Sequence, residues 1–530
     1  MLDMGFWTCA VRACAAIGAL ALVACSDEAG GDADDTGGVQ LPGPMDGVGG
    51  PGGQPAGHDP TPADPAGPQA PTGGDDGSSQ DTATPGGDGD STDVDTGDTP
   101  ATTPGDPTVW TQMGYDARNW YLNPHETRLS VDNAATLTQK WSFTVGGYPA
   151  GTPVVAEGKV FVLATGGLYA IDLETGEEAW GTASIRGTAS IAYADGSIYA
   201  HTEGADLYRL AAADGTVEWG PVQSDAQTGC DGTSSPILGG GKVIVGHSCG
   251  AREVGFGSAE GARGGVEAHN MSDGSKAWTY WTAELDETGA MVWSSVGIDV
   301  DAGVVYATTG NNYLAQGPNS DSIHAIDLES GEGLWAHQVR TGDVWSRPAA
   351  QDGPDSDFGA NPIVADGLVA AGDKGSAFWA LDPATGNTVW SREQLTPEFD
   401  PAHGGILNNG AYDGETFYAV SNDVSSNSAV LFAMNAADGT DKFAPKTFSG
   451  AYSWGMPTLA NGVLAVPVDD VLHILDASDG TELTSFNTGG TIAAGGAAIV
   501  DGHVIVPSGL SYPFDPNVKS NNQVICFALP

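Results

Sequence analysis

The side chains best suited to metal binding or nucleophilic chemistry are thinly spread through this sequence. The sequence has ten histidines, and no metal-ligand spacing is seen at His125, His247, His269, His403 or His473. Isolated surface or turn positions are the better account of them. No Cys-x-x-Cys-His motif occurs, which excludes a covalently attached c-type haem. A histidine metal site is therefore not expected either.

Three cysteines remain beyond the first 25 residues, and they indicate an oxidising compartment. Cys230 and Cys249 lie within one sequence repeat, described below, and we predict a disulfide between them. Cys526, near the carboxyl end of an apolar strand pattern, is expected to be a buried free thiol.

Residues 1–25 have the features of a bacterial signal peptide. A short positively charged region precedes an apolar stretch from Ala13 to Val23, which is shorter than the about 20 residues that span a bilayer. The ending LVAC resembles the bacterial lipobox and implies a diacylglycerol on Cys25, the lipidation site. A plain secretory signal cleaved nearby is the alternative. The resemblance implies an outer-membrane lipoprotein on the periplasmic or cell-surface side, held at the membrane only by its lipid.

A linker rich in Asp, Gly, Pro and Thr occupies residues 26–107. It contains no Lys or Arg and almost no large apolar residue, so it cannot bury enough surface to offset the entropy of ordering. We predict an extended, disordered, acidic stalk. Its carboxylates could bind Ca²⁺, but no calcium-loop spacing appears, and a solvated spacer is favoured.

The overall charge limits the kinds of partner. The chain has 530 residues and a formal net charge of −50, which argues against nucleic acid as a partner. Mutual repulsion between such chains favours a soluble monomer.

A repeat fills residues 108–530. One phrase recurs, as in GGLYAIDLETGEEAW and SAFWALDPATGNTVW: a short apolar strand, an Asp-led turn that ends in Gly, and a second strand that carries an aromatic residue. The turn glycines of the seven copies are Gly176, Gly215, Gly274, Gly331, Gly386, Gly439 and Gly480. Spacings of about 40 to 60 residues are typical of four-stranded propeller blades.

The fold predicted from this repeat is all-β. Because an eighth repeat stops after one strand at the carboxyl end, the segment from Val109 to Thr144 is expected to complete that blade and close the ring. An eight-bladed β-propeller is therefore predicted, with seven blades as the alternative.

The repeat resembles that of the pyrroloquinoline quinone (PQQ) propellers, which include quinoprotein alcohol dehydrogenases and non-catalytic outer-membrane assembly lipoproteins. Three segments resemble the polyvinyl-alcohol-dehydrogenase-like quinoproteins in particular. They are WTQMGYDARNWYLNPHETRLSVDNAATLTQKW at 110–141, VWSSVGIDVDAGVVYATTGNNY at 292–313 and SDFGANPIVADGLVAAGDKGSAFWALD at 356–382.

The resemblance implies PQQ and Ca²⁺ as cofactors and suggests the residues that bind them. Trp293 in VWSSVGID matches the tryptophan on which PQQ lies, and Asn311 in TTGNNY matches the metal-binding asparagine. Lys374 in GDKGSAFWALD matches the basic residue at the quinone. Glu253 falls where the family has its glutamate metal ligand, and Arg263 where it has an arginine near PQQ.

The general base is where this sequence departs from the family. The family pattern of Asp, any residue, Trp, then Asp or Asn reads Asp343-Val344-Trp345-Ser346 here, and a hydroxyl of ordinary pKa is no base at neutral pH. Asp343 or Asp357 is therefore the candidate catalytic base. The family's vicinal cysteine pair is absent, and Leu407 stands where a ring-stacking tryptophan is expected.

Two functions follow from the resemblance, and the sequence leaves both open. One is a quinoprotein that oxidises an alcohol, or a polymer carrying alcohol groups, and passes electrons to a separate acceptor. The other is a non-catalytic propeller that acts as a binding or assembly scaffold at the outer membrane or cell surface, which the altered base position favours.

Overall fold

The computed structural model describes residues 15–16, 19–20, 106–225, 230, 232–253, 261–285, 287–346, 355–397, 403–493, 495–511 and 517–530. Cys25 and nearly all of the predicted linker lie outside these residues. The strands Ala15–Ala16 and Ala19–Leu20 form an antiparallel pair. No helix in the described part of the chain is long and apolar enough to cross a membrane.

The repeats form eight sheets, one per blade. Six pair four antiparallel strands in chain order, while blade 7 adds a short parallel strand from the amino-terminal region and blade 8 takes its last strand from there. Blade 1 contains Val154–Ala156, Lys159–Ala164, Gly167–Asp172 and Glu178–Thr182. Blade 2 contains Ala192–Ala194, Ser197–His201, Asp206–Ala211 and Val217–Gln223. Blade 3 contains Ile237–Gly239, Lys242–His247, Gly265–Asn270 and Lys276–Trp281. Blade 4 contains Gly297–Asp299, Val304–Thr308, Ser322–Asp327 and Gly333–Gln338.

The second half of the ring repeats this plan. Blade 5 contains Ile363–Ala365, Leu368–Gly372, Phe378–Leu381 and Thr388–Arg392. Blade 6 contains Ala411–Tyr412, Thr416–Asp423, Ser428–Asn435 and Lys446–Ser449. Blade 7 contains Leu122–Asn123, Thr458–Ala460, Val463–Val468, Val471–Asp476 and Glu482–Asn487. Blade 8 contains Ala498–Val500, His503–Ser508, Gln523–Ala528 and Thr138–Thr144. The two short helices are Ala134–Thr136 (3₁₀) and Gly250–Glu253 (α).

The ring closes between the two ends of the repeat region. Strand Gln523–Ala528 pairs antiparallel with Thr138–Thr144, which places Cys526 opposite Trp141. The first strands of blades 8 and 1 adjoin, as do those of blades 1 and 2 and of each neighbouring pair from blade 3 to blade 8. The eight-bladed propeller is confirmed, and seven blades are excluded. Only the last part of the segment 109–144 completes blade 8.

The residues before this strand have a different role from the one expected. Residues 110–123, here called the amino-terminal strap, run past the first strand of every blade and bond to each in turn. The contacts join Trp110 to Val155, Thr111 to Tyr193, Gln112 to Leu238, Ala117 to Ile298, Arg118 to Val364, Trp120 to Tyr412, Tyr121 to Leu459 and Asn123 to Ile499. Since each partner belongs to an inner strand, the strap ties all eight blades together.

Neighbouring blades are joined by an aromatic ring of one blade that lies over the turn glycine of the next. Gly331 has a φ of +74°, and an added Cβ there would lie 2.6 Å from the Trp278 ring. The Trp278 indole N–H donates to the carbonyl of Leu328 in the same turn, at 3.0 Å. The equivalent pairs are Trp141–Gly176, Trp180–Gly215, Trp219–Gly274, Trp335–Gly386, Trp390–Gly439 and Phe443–Gly480. The aromatic residue of each repeat therefore packs against the glycine of the following repeat.

Truncation of one such aromatic residue should destabilise the whole ring. We expect Trp278→Ala to lower the free energy of unfolding by about 3–5 kcal/mol, because a large buried side chain is replaced by a cavity. Leu334→Ala is the control, since Leu334 is 53% exposed and should change stability by less than about 0.5 kcal/mol. Urea unfolding followed by circular dichroism measures both. A Trp278→Ala variant as stable as the control would contradict this packing argument.

Candidate functional site

A small cavity of about 40 Å³ marks the axis of the propeller. Its lining includes Met113 of the strap and residues from six consecutive blades: Thr188, Thr233, Trp293, Asn361, Asn408 and Met456. Only the axis can be reached from so many blades at once. Trp293, the predicted cofactor-stacking residue, therefore lies at the centre of the ring.

Trp293 is bonded to one of the two candidate bases. Its indole N–H donates to Asp357 Oδ2 at 2.9 Å, although the two residues are 64 positions apart in the sequence. Gly310 makes room for this pair, since a Cβ at that position would lie 2.8 Å from Asp357 Oδ2. Asp357 is thereby fixed next to the half-buried indole.

Lys374 is the cation of this site and is almost fully buried. Its Nζ lies 2.9 Å from Asp355 Oδ2 and 3.0 Å from Asp357 Oδ1. Burial acts to lower the pKa of Lys374, but the carboxylates of Asp355 and Asp357 raise it well above its usual value. The ammonium group is therefore charged over the accessible pH range.

The turn that carries Lys374 is held by an ion pair on its outer side. Asp373 accepts from Arg340 Nε at 2.8 Å and from the Trp379 indole at 2.9 Å. The backbone N–H of Lys374 donates to the carbonyl of Asp357 at 2.9 Å. These bonds set the position from which the lysine side chain reaches the two aspartates.

Both carboxylate oxygens of Asp343, the other candidate base, accept hydrogen bonds from backbone N–H groups. It accepts the N–H of Asp355 at 3.2 Å and the N–H of Ser356 at 2.5 Å. Burial raises its pKa. Asp343 therefore holds the segment that leads to Asp357. The hydroxyl of Ser346 donates to the carbonyl of Tyr313 at 3.1 Å.

The two predicted metal ligands lie on loops beside this group. Glu253 ends the short α-helix, and its carboxylate accepts a hydrogen bond from Tyr313. Burial, together with the charge of Asp357, raises the pKa of Glu253 to about 8. Asn311 is buried, and its amide nitrogen donates to the carbonyls of Asn312 at 3.0 Å and Trp345 at 2.7 Å. The amide oxygen is thus the atom that Asn311 offers to a cation.

Arg263 is anchored in blade 3. Its Nε donates to the carbonyl of Ala283 at 2.9 Å, and its guanidinium lies 4.3 Å from the centre of the Trp281 ring. The backbone of Arg263 forms a β-bridge with Gly289, and Gly289 forms a second β-bridge with Asn312. Arg263 therefore stands on the same side of the ring as Asn311.

Cys230 and Cys249 are joined by a disulfide, as the sequence suggested. The disulfide belongs to a buried cluster with Ala262, Met291 and Tyr313, against which Trp293 packs. Cys526 is free and buried.

Two of the histidines differ from the sequence expectation. His247 and His269 are each only 1% exposed, so the surface or turn assignment was wrong for them. Their Nε2 atoms lie 2.9 Å and 2.6 Å from the two carboxylate oxygens of Glu267, which is itself fully buried. A buried carboxylate needs such partners, and this explains both histidines without a metal.

Sequence reasoning missed three residues that belong to this region. Asp355 was detectable in part, because alternation along an extended segment puts it on the same side as Asp357. Tyr313 follows Asn311 in the same motif. Asp321 had no local signal: it is fully buried, and burial raises its pKa well above its usual value.

The donor set of this site fits a hard divalent cation. Glu253, Asp343, Asp355 and Asp357 surround one ammonium group, and burial raises the pKa of the first three, so a bound divalent cation would favour their ionised forms. Asp355 Oδ1 accepts no hydrogen bond, while Asp357 Oδ1 has the Lys374 ammonium group as its partner at 3.0 Å. Carboxylate and amide oxygens are the ligands that Ca²⁺ prefers. Within the described ranges no three His, Cys, Asp or Glu side chains converge on one metal position, so a cation here would need other donors, such as the amide oxygen of Asn311.

An eight-bladed propeller with aromatic–glycine docking between blades and an acidic pocket beside an axial tryptophan defines a quinoprotein-type propeller. The family profile of PQQ_2, outer membrane protein assembly factor BamB, matches residues 125–285 and 281–441, and the chain belongs to this family.

Relatives of known activity cover most of the chain. It is 26% identical over 498 residues to the polyvinylalcohol dehydrogenase of Pseudomonas sp, covering 80% of this chain and 77% of the relative. It is also 26% identical over 462 residues to that of Sphingopyxis sp. (strain 113P3), covering 72% and 69%. The quinohemoprotein alcohol dehydrogenase of Comamonas testosteroni has the same fold, with a TM-score of 0.64, 17% identity and 80% of each chain covered.

Proposed function

We propose that this protein is a PQQ-dependent oxidoreductase of the polyvinyl-alcohol-dehydrogenase type, acting on an alcohol and using Ca²⁺. The observation that carries the proposal is the position of Asp357, which is held between the Trp293 indole N–H and the Lys374 ammonium group at the axis of the ring. A buried carboxylate oriented by two donors is suited to accept a proton from a bound hydroxyl group.

Four residues of the site have proposed roles in binding the cation and the cofactor. Glu253 and Asn311 would hold the cation, and Trp293 would provide the surface on which the planar cofactor rests. When bound, PQQ supplies the two-electron acceptor and Ca²⁺ the positive charge beside it. Arg263 is proposed as a further contact on the same side of the ring.

Asp357 performs the proton transfer in this proposal. One oxygen, Oδ2, stays bonded to the Trp293 indole, which leaves Oδ1 as the atom that receives the hydroxyl proton of the alcohol. Lys374 lies beside Oδ1 and keeps the carboxylate turned towards the pocket. Oxidation of the alcohol to a carbonyl compound yields two protons and two electrons. Asp357 would pass the hydroxyl proton to solvent, and the C–H hydrogen would leave as the second proton when both electrons are transferred to a separate acceptor protein.

The proposal places this propeller at the end of an acidic stalk. The lipobox-like ending at Cys25 supports a lipid anchor, and the composition of residues 26–107 supports an extended spacer. An outer-membrane location on the periplasmic or surface side, with the propeller as a monomer at 108–530, is part of the same proposal.

A non-catalytic scaffold is the second candidate. Two observations favour it: the matched family profile carries the description of an assembly factor, and Ser346 stands where the family pattern has Asp or Asn. On this alternative the axial pocket binds neither cofactor nor alcohol, and the blades present a docking surface.

Titration with PQQ separates the two candidates. The full chain, with and without Ca²⁺, is titrated with PQQ while quinone absorbance and tryptophan fluorescence are followed. We expect saturable binding that requires Ca²⁺ and is lost in Trp293→Ala and Asn311→Ala, because these variants remove the stacking surface and a metal donor. Leu285→Ala, an exposed position, should bind as the wild type does. Absence of binding by the wild type would favour the scaffold.

A further inference from the structure

The short helix that carries Glu253 cannot by itself fix the position of the Glu253 side chain. The helix Gly250–Glu253 has only four residues, and isolated helices of that length are unstable in water. The carboxylate is nevertheless close enough to Asp357, Lys374 and Asp343 for their charges to act on it. Something outside the helix must therefore hold Glu253 against this group.

Two contacts do so. Cys249, the residue directly before the helix, is bonded covalently to Cys230, which fixes the point where the helix starts. At the other end, the Tyr313 hydroxyl donates to the Glu253 carboxylate. Both contacts belong to one buried cluster, because the Tyr313 side chain packs with the two cysteines.

Tyr313 is itself held rigidly. It is 1% exposed, its N–H donates to the carbonyl of Thr288 at 3.0 Å, and its carbonyl accepts from the Ser346 hydroxyl at 3.1 Å. It also lies two residues after Asn311 on the same loop. One loop thus supplies a candidate metal ligand directly and orients the other through a phenol hydroxyl.

We propose that Tyr313 and the Cys230–Cys249 disulfide are positioning residues that place the Glu253 carboxylate for a divalent cation shared with Asn311. This inference rests on the metal site of the proposed function. Groups that hydrogen-bond to a metal ligand fix its orientation, and their loss typically lowers metal affinity by about 10–100-fold. Ser346 gains a role on this view, since its hydroxyl supports the Tyr313 backbone.

The test is the affinity of the full chain for Ca²⁺ alone, measured by titration calorimetry without PQQ or alcohol. Tyr313→Phe removes one hydroxyl and keeps the ring in its cluster, so we expect the Kd for Ca²⁺ to rise by about 10–100-fold. Tyr306→Phe is the matched control. Tyr306 is equally buried and its hydroxyl donates to the carbonyl of Pro383 at 3.3 Å, away from the site. The Kd of the Tyr306→Phe variant for Ca²⁺ should equal that of the wild type.

The disulfide is tested by Cys230→Ser combined with Cys249→Ser. Provided that circular dichroism shows an intact fold, we expect a Kd at least about tenfold higher. If this variant does not fold, Tyr313→Phe decides alone. Equal Kd values for Tyr313→Phe and the wild type would overturn the inference while leaving the metal site intact. No Ca²⁺ binding by the wild type would contradict the proposed function itself, and the inference with it.

Discussion

Asp357→Asn is expected to lower kcat by about 10²–10⁴-fold, the contribution of a well-placed general base. The amide has nearly the same shape and still accepts the Trp293 indole N–H, but it cannot take a proton from an alcohol. Binding of PQQ and Ca²⁺ should be largely retained, so the loss should appear in kcat. Steady-state oxidation of the alcohol that the wild type turns over fastest, with an artificial electron acceptor, provides the measurement.

Asp343→Asn is the matched comparison. Asp343 accepts hydrogen bonds from two backbone N–H groups of the segment 355–356. The asparagine substitution should therefore lower the free energy of unfolding more than it lowers kcat. A reversal of the two effects, with Asp357→Asn active and Asp343→Asn inactive at full stability, would move the base to Asp343. Activity in both variants would remove the base from this segment altogether.

Lys374→Met should destabilise the protein by about 3–5 kcal/mol, the cost of leaving buried charges without their partner. Lys374 is 9% exposed, and its two partners, Asp355 and Asp357, are almost completely buried. Methionine fills the space of the lysine stem but offers no charge. Urea unfolding at neutral pH measures the difference in free energy.

Lys519→Met is the control for this prediction. Lys519 also lies near two carboxylates, 2.9 Å from Asp469 and 2.8 Å from Asp470, but 46% of its side chain is exposed. An exposed pair contributes about 0–1 kcal/mol, so this variant should be close to the wild type. If both lysine variants lose the same free energy, burial is not what makes Lys374 important.

The repeat made the architecture predictable because its information is local. An Asp-led turn ending in glycine determines a hairpin wherever it occurs, and Gly331 shows why the glycine is needed: its φ is positive and the Trp278 ring fills the space of a Cβ. Seven copies of one hairpin imply a ring of blades. The strap was not predictable in this way, since its contacts with eight separate strands leave no period in its own sequence.

The site was predictable only where a motif carried it. Trp293, Asn311 and Lys374 lie in recognisable segments. In the structure, Trp293 and Lys374 both contact Asp357. The choice between Asp343 and Asp357 required hydrogen-bond directions, which no spacing reveals. Asp321 and Asp355 escaped notice because an acidic residue in a loop has the same local pattern whether it is exposed or buried.

The sequence by itself determined the class of fold and the turn glycines and aromatic residues of the repeats, because turn chemistry and strand alternation act between residues close in the chain. The choice between eight and seven blades required the closed ring. The tertiary structure alone decided which charged side chains gather beside Trp293. Glu253 and Lys374 stand 121 positions apart, and only ring closure brings their loops together. Burial then sets the charge of each group, since the removal of water depends on everything packed around it.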